Sequence, residues 1–164
     1  GPALPYNCRK SLSMRSRLND ALKAAMKAKE VHTLSTVRLI LAALKDRDIA
    51  ARSKGNQDGI SDDDILGMLQ SMIKQRHDSI EMYEKGGRTE LAEQEASEID
   101  IIREFMPEQM SDDDVDAAVT GAIAEAEAMS LKEMGKVMAV LKEKFAGSMD
   151  FSAASAKVKE KLSG

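Results

Sequence analysis

The sequence predicts an all-α protein made of two different helical subdomains, and three observations support this prediction. The 164-residue chain has no Trp, only three Pro, 3% aromatic residues and eleven Met, a composition typical of helical proteins. Apolar residues recur at helical spacing along most of the chain. One helix stops and another starts within a few residues of Pro107, because the residue before a proline disfavours helical geometry.

The segment 1–13 differs from the rest of the chain. Gly1-Pro2 resembles a protease scar and Met14 looks like a natural first residue, so we expect 1–13 to be a tag or non-native leader. The alternative is the remainder of a basic organelle-targeting segment, because Arg9 and Lys10 stand there without any acidic residue.

Residues 14–106 are predicted to form an N-terminal helical bundle that contains a long helical hairpin. The apolar spacing predicts four helices, at about 14–29, 33–52, 61–85 and 89–105. We expect the first to place Met26 on its inner face, and the second carries Asp48 in line with its apolar residues. Gly86-Gly87 ends the third helix and joins it to the fourth as an antiparallel hairpin.

Residues 107–164 are predicted to form a small C-terminal three-helix tail domain. Its helices are expected at about 112–128, 131–145 and 152–162, with Ser130 capping the second and Leu131 facing inward. The connection around Pro107 and Gln109 is expected to set the angle between the two subdomains, while Gly86 and Gly87 provide a flexible turn within the first.

Two Ser-Asp-Asp-Asp runs, starting at Ser61 and Ser111, suggest either metal binding or helix capping. Calcium loops alternate their ligands over about twelve residues and need a central Gly and a late Glu, which neither run has. Each run instead precedes an apolar helical stripe, where serine caps the amides and the aspartates face the positive end of the helix dipole. The runs therefore predict helix N-termini.

Charge is strongly segregated along the chain, although the formal net charge is only −4. Residues 1–60 contain 12 basic and 5 acidic residues, residues 61–128 contain 5 and 19, and residues 129–164 contain 7 and 4. The basic ends could neutralise the acidic middle within the fold, or could leave basic faces free for a polyanion.

Arg76 stands on the third helix where an apolar residue is due. A pair with Glu95 or Glu98 on the facing helix is the simplest way to accommodate it, and this pair would fix the hairpin register. Lys74, Arg76 and Arg88 also form a candidate phosphate-binding patch. A second candidate nucleic-acid surface consists of four lysines of the tail domain: Lys132, Lys136, Lys142 and Lys144. Without interleaved aromatic residues, such a surface would contact phosphates rather than stack bases.

The sequence shows no recognisable catalytic, metal or cofactor site. Cys8 is the only cysteine, which excludes an internal disulfide and fits a reducing compartment. His77 and Glu81 share a helix face but lack further ligands, and there is no nucleophile elbow or phosphate-binding glycine loop. No apolar run is long enough to span a membrane. We therefore expect a cytoplasmic protein without a bound cofactor.

Several blocks of sequence resemble the YqeY-like branch of the GatB/YqeY family. They begin with Leu34-Ser35-Thr36-Val37-Arg38 and continue through Lys74-Gln75-Arg76, Tyr83-Glu84-Lys85-Gly86-Gly87-Arg88 and Phe105-Met106-Pro107-Glu108-Gln109-Met110 to Met134-Gly135-Lys136-Val137-Met138. These blocks occur in family order and together cover nearly all of 14–162.

The resemblance implies a stand-alone helical protein similar to the tail of the tRNA-dependent amidotransferase B subunit, the part of that enzyme that reaches tRNA. Three alternatives for function stay open, of which the first two follow from the resemblance and the third from the methionine and acidic faces of the helices. The first is a non-catalytic module that binds tRNA or works with an aminoacyl-tRNA synthetase or amidotransferase subunits. The second is a component with carbon–nitrogen ligase activity that uses glutamine as amido-nitrogen donor and is active only in a complex. The third is a protein-binding helical scaffold.

Overall fold

The structure, a computed structural model, describes residues 13–163 and confirms the all-α prediction. Its helices are α1 (Met14–Ala28), α2 (Val31–Ser53), α3 (Asp62–Lys85), α4 (Thr89–Arg103), α5 (Asp112–Glu125), α6 (Met134–Phe145) and α7 (Phe151–Ser163). A short 3-10 turn, Leu131–Glu133, precedes α6. The described part of the chain contains no β-strand. The proposed leader lies outside the described residues except for Ser13, whose side chain caps α1 by accepting a hydrogen bond from the Ser16 amide at 3.1 Å.

The chain divides after Phe105 into two compact units, hereafter unit 1 (α1–α4) and unit 2 (α5–α7). The predicted boundary after Met106 differs from this division by one residue. In unit 1, α3 and α4 form the long hairpin and α1 and α2 form a second antiparallel pair. The fully buried side chains of this unit come from all four helices and include Leu18, Val37, Ile40, Ile65, Leu69 and Ile102.

Unit 2 has a small core of its own, to which each of its three helices contributes. Its fully buried side chains are Val119, Val137, Leu141, Met149, Ala154 and Val158. Met134 and Met138 pack against this core from α6, so they serve as adaptable apolar filling. Three helices of 12 to 14 residues can hold each other only through such shared burial, because isolated helices of this length are marginal in water.

Both Ser-Asp-Asp-Asp runs cap helices, as the sequence predicts. The Asp64 amide donates to Ser61 Oγ at 3.2 Å, and the Asp114 amide donates to Ser111 Oγ at 3.1 Å. Among residues 13–163, no group of three or more His, Cys, Asp or Glu side chains is arranged to hold a metal ion. No described helix is long and apolar enough to cross a membrane.

Two predictions of helix faces are wrong. Met26, expected to face inward on α1, is 52% exposed, and Leu131, expected to begin the apolar stripe of α6, is 49% exposed. Leu131 lies in the 3-10 turn, where three residues per turn replace the 3.6 of the helix and rotate the side chains away from the predicted stripe. The prediction that Ser130 caps α6 is also wrong, because Ser130 precedes the 3-10 turn and its side chain makes no capping hydrogen bond.

The two serine caps should each contribute measurably to stability. Ser61→Ala and Ser111→Ala should each lower the free energy of unfolding by about 1 kcal/mol, because each leaves a helix amide without its acceptor. Urea unfolding followed by circular dichroism measures the loss. The control is Ser53→Ala, since the exposed Ser53 hydroxyl only bonds back to the Ile49 carbonyl. A change in the cap variants no larger than in the control would contradict the capping role.

Candidate functional site

The exposed lysines of unit 2 form the first candidate site. Lys132, Lys136 and Lys142 are all exposed, and none belongs to an ion pair in the part of the chain that the structure describes. Lys144 differs, because its ammonium group pairs with the Glu125 carboxylate of α5. The structure thus separates three lysines that could bind an external anion from one that is partly neutralised within the unit.

These lysines do not form one continuous strip. Successive residues of a helix are rotated by about 100°, so Lys136 and Lys142 of α6 lie about 120° apart around its axis. They flank the outward face of α6, and Ala139 and Glu143 lie between them on this face. Lys132 extends the surface into the 3-10 turn. The surface is therefore a broad region of separate cations, which suits a ligand carrying several well-spaced charges.

In the second predicted patch, not all three cations are free to bind an external phosphate. The patch consists of Lys74, Arg76 and Arg88. The Arg76 side chain is 13% exposed, its Nε lies 3.0 Å from Glu98 Oε2, and its Nη1 donates to the Met72 carbonyl at 3.2 Å. Lys74 is exposed, and Arg88 is exposed and pairs with Glu90 at 3.1 Å. The contact between Arg76 and Glu98 confirms the predicted hairpin pair, and it leaves Lys74 as the exposed cation of this patch that has no ion pair among the described residues.

Glu95 lies at the edge of the same hairpin pair. Its Oε2 is 4.0 Å from Arg76 Nε, against 3.0 Å for Glu98. Burial raises the pKa of the Glu95 carboxyl, and repulsion by Glu98 adds to this effect, while Arg76 opposes it. Arg76 therefore pairs mainly with Glu98, and it compensates little of the negative charge of the Glu95 carboxylate.

The four residues proposed as hinges have well-defined local roles. Gly86 is the C-cap of α3 with an ordinary backbone conformation, and Gly87 takes the left-handed one at φ +71°. Gln109 Nε2 donates to the carbonyls of Pro107 at 3.0 Å and Gly147 at 2.7 Å. Gln109 therefore ties the beginning of unit 2 to its α6–α7 connection. Whether Pro107 sets an angle between the subdomains stays a prediction.

An ionic cluster that the sequence did not suggest joins α1, α2 and the loop before α3. Arg15 Nη1 and Nη2 donate to the two Asp48 carboxylate oxygens at 2.7 and 2.8 Å, and Nη2 also donates to the Ile60 carbonyl at 3.0 Å. The Ile60 amide donates to Asp48 Oδ1 at 2.9 Å. The hydrogen bond from Arg15, followed by that from the Ile60 amide, lowers the pKa of Asp48 from 3.8 to about 2. The sequence signal that could have revealed this cluster is Asp48, which stands in line with the apolar residues of α2.

A cleft of about 300 Å³ opens beside this cluster in unit 1. Its walls come from α1 and α2, and its lining comprises Arg15, Asn19, Leu41, Leu44, Lys45, Asp48, Ile49 and Arg52. Lys45 and Arg52 are exposed, so the lining of the cleft combines apolar side chains with cations.

The described helices define an all-helical protein of two units, and unit 2 carries three exposed lysines without a described ion pair. The chain belongs to the family described as Yqey-like protein, whose sequence pattern it matches over residues 15–162. This match confirms the resemblance seen in the sequence.

The chain is also similar to several fungal proteins. It is 32% identical over 112 residues to the protein named Altered inheritance of mitochondria protein 41, mitochondrial, of Lachancea thermotolerans, a match that covers 67% of this chain and 58% of that protein. A Saccharomyces cerevisiae protein with the same name is 35% identical over 91 residues, covering 56% and 47%. An uncharacterised Schizosaccharomyces pombe protein is 30% identical over 99 residues, covering 60% and 76%. The chain thus corresponds to about half of the two proteins named for mitochondria.

The division of roles between Glu98 and Glu95 is testable by removing one charge at a time. Glu98→Gln should lower the free energy of unfolding by about 2 kcal/mol, because it leaves the largely buried Arg76 without its counterion. Glu95→Gln should be neutral or stabilising at pH 7, since a carboxyl with a raised pKa costs stability once it ionises. Urea unfolding of both variants gives the comparison, and a larger loss for Glu95→Gln would contradict the assignment.

The Arg15–Asp48 pair should make stability depend on pH in the acid range. Asp48→Asn should cost about 1 to 2 kcal/mol at pH 7, a figure reduced for the partial exposure of Arg15. Because the folded-state pKa is about 2 and the ordinary value 3.8, this contribution is complete above the ordinary value and disappears as the pH falls through the folded value.

Denaturant unfolding at several pH values between 7 and the acid limit measures this prediction. The stability difference between the wild-type protein and Asp48→Asn should shrink as the solution becomes acidic. Asp46→Asn is the matched control, because Asp46 is exposed on the same helix and should show no such trend. A difference that persists unchanged at low pH would mean that Asp48 acts through packing alone.

Proposed function

We propose that this protein is a non-catalytic RNA-binding module whose ligand is tRNA, and that unit 2 supplies the principal contacts. The observation that supports the proposal most directly is the group of three exposed lysines, Lys132, Lys136 and Lys142, outside any described ion pair. Cations of this kind neutralise phosphates without reading bases. The likeness of the sequence to a tRNA-contacting tail favours tRNA among the possible polyanions.

The distribution of charge within unit 2 supports the same proposal. The acidic side chains of α5 are partly neutralised by lysines of the neighbouring helices, since Glu125 pairs with Lys144 and Asp116 pairs with Lys161 at 3.2 Å. These contacts reduce the repulsion that the acidic helix would exert on an approaching phosphate. The three available lysines can then attract a polyanion despite the acidic composition of the preceding segment.

Partners and compartment belong to the proposal as well. An aminoacyl-tRNA synthetase or an amidotransferase subunit would be a natural companion of a tRNA-binding module, and the family resemblance is the support for it. The cytoplasmic location predicted from the sequence stays a prediction, and two of the relatives carry mitochondrial names. If the protein acts in mitochondria, its RNA ligand would be an organellar tRNA.

Replacing the three lysines should abolish most of the RNA affinity. The variant Lys132→Glu/Lys136→Glu/Lys142→Glu should bind tRNA at least about tenfold more weakly in a filter-binding assay at low salt. The slope of its log affinity against log salt concentration should be shallower by about 2 to 3 units than that of the wild-type protein. The reason is that a complex with three fewer phosphate contacts releases fewer counterions.

The control changes the same amount of charge in unit 1. Lys23→Glu/Lys27→Glu/Lys54→Glu alters three exposed lysines that form no ion pair among the described residues, and it should reduce the affinity by no more than about threefold through the long-range field. Wild-type protein that retains no tRNA at low salt would refute the proposal. An equal loss in both variants would refute the assignment of the contacts to unit 2.

A further inference from the structure

One flank of unit 1 carries exposed apolar side chains that the RNA-binding proposal does not use. Met26 of α1 is 52% exposed and Ile49 of α2 is 49% exposed. Leu41, from the floor of the α1–α2 cleft, is only half-buried. Isolated exposed apolar residues are common on protein surfaces, but Leu41 and Ile49 line one cleft, and apolar side chains grouped in this way are typical of interaction sites.

The wall that α1 contributes runs along the whole helix. Arg15 and Asn19 line the cleft, and Leu22 and Met26 follow at intervals of three and four residues, which places all four on one side of the helix. Leu22 is half-buried. By this spacing, Leu22 and Met26 continue the α1 side of the cleft from the Arg15–Asp48 pair toward the α1–α2 connection.

The wall that α2 contributes adds evenly spaced positive charge. Arg38, Lys45 and Arg52 recur at intervals of seven residues, so they lie on one side of α2 about 10 Å apart. Lys45 and Arg52 line the cleft, and Arg38 continues their line beyond it. None of the three belongs to an ion pair among the described residues. Asp48, which lies between them, is occupied by Arg15 and Ile60.

We propose that this groove, lined by Leu22, Met26, Leu41 and Ile49 and edged by Arg38, Lys45 and Arg52, binds an acidic amphipathic helix of a partner protein. The charge complementarity defines the partner. Its helix would place an apolar stripe in the groove and present carboxylates about every seven residues to the α2 cations, as in helix-in-groove recognition. This inference goes beyond the proposed RNA binding and concerns a different unit of the protein.

An RNA ligand would explain the cations of this flank but not its apolar floor. Single strands gain affinity by stacking bases on aromatic side chains, and no aromatic residue lines the cleft. Exposed methionine and isoleucine would add nothing to phosphate contacts. If the ligand is a helix, the same apolar side chains supply the area that binding buries. The cations then fix the position of the bound helix and disfavour basic or neutral helices that compete for the groove.

A synthetic peptide tests the proposal directly. The probe is a helical peptide with Leu at i and i+4 of each heptad and Glu at the flanking positions, and the control is a scrambled peptide of equal composition. Titration of the full chain, followed by fluorescence anisotropy, should give a dissociation constant of about 10 µM or better for the probe. Methyl resonances of Met26, Leu41 and Ile49 should shift on binding.

Charge reversal on one side of α2 supplies the decisive comparison. Lys45→Glu/Arg52→Glu should weaken peptide binding by about tenfold or more. Arg47→Glu changes an exposed residue on the opposite side of the same helix and should leave the affinity within about twofold. Ile49→Ser keeps every charge and should also weaken binding, which separates the apolar contribution from the ionic one.

Each of the remaining outcomes would overturn the proposal. These are failure of the probe to bind at about 1 mM, equal binding of the scrambled peptide, and equal losses in the Arg47 and Lys45/Arg52 variants. Loss of tRNA affinity in Lys45→Glu/Arg52→Glu without any peptide binding would assign the flank to RNA. Self-association of the wild-type chain that this variant abolishes would assign it to a second copy. None of these results depends on the tail-domain lysines, so the proposed RNA function would be judged separately.

Discussion

The contact between Arg15 and Asp48 is the constraint on which the arrangement of α1, α2 and the start of α3 depends. The arginine holds both carboxylate oxygens and the Ile60 carbonyl, and the carboxylate also accepts from the Ile60 amide. Gly59 makes this possible, because a Cβ at that position would stand 2.6 Å from Arg15 Nη2 and its φ of +89° disfavours other residues. The loop therefore closes onto the ion pair at the position where the α1–α2 groove begins.

The Arg76–Glu98 contact constrains the arrangement of α3 and α4 in the hairpin in a similar way. An ion pair removed from water contributes little net stability, because desolvation offsets most of the Coulomb attraction. Its effect is on register, since sliding either helix by one turn would separate the guanidinium from its carboxylate and leave both charges unpaired. Each helix pair of unit 1 thus has an ionic contact centred on an arginine, and these two arginines are then unavailable for binding RNA.

The helices were predictable from the sequence because helix periodicity and capping are local properties. The caps at Ser61 and Ser111 and the turn at Gly86–Gly87 all depend on neighbours within four residues. Arg76 was interpretable because a charge in an apolar line demands a partner on the facing helix. Asp48 presented the same signal, but its partner lies 33 residues away on α1, across a connection whose geometry the pattern does not define. The exposure of Met26 was missed for a similar reason, since periodicity identifies an apolar stripe but not how much of it a neighbouring helix covers.

The sequence predicted the four tail-domain lysines as a candidate surface but could not show which of them are unpaired, because lysine is exposed in almost any helical context. What the structure adds is the list of cations in ion pairs, namely Arg15, Arg76, Lys85, Arg88, Lys144 and Lys161. Among the described residues, Lys132, Lys136, Lys142, Arg38, Lys45 and Arg52 form no ion pair, although Arg52 interacts electrostatically with Asp48. The two proposed surfaces then differ in physical character. A surface of separate lysines should lose affinity steeply with salt, whereas a groove with an apolar floor should retain the part of its affinity that comes from buried area, which salt does not screen. The salt dependence of each interaction therefore reports which kind of surface is in use.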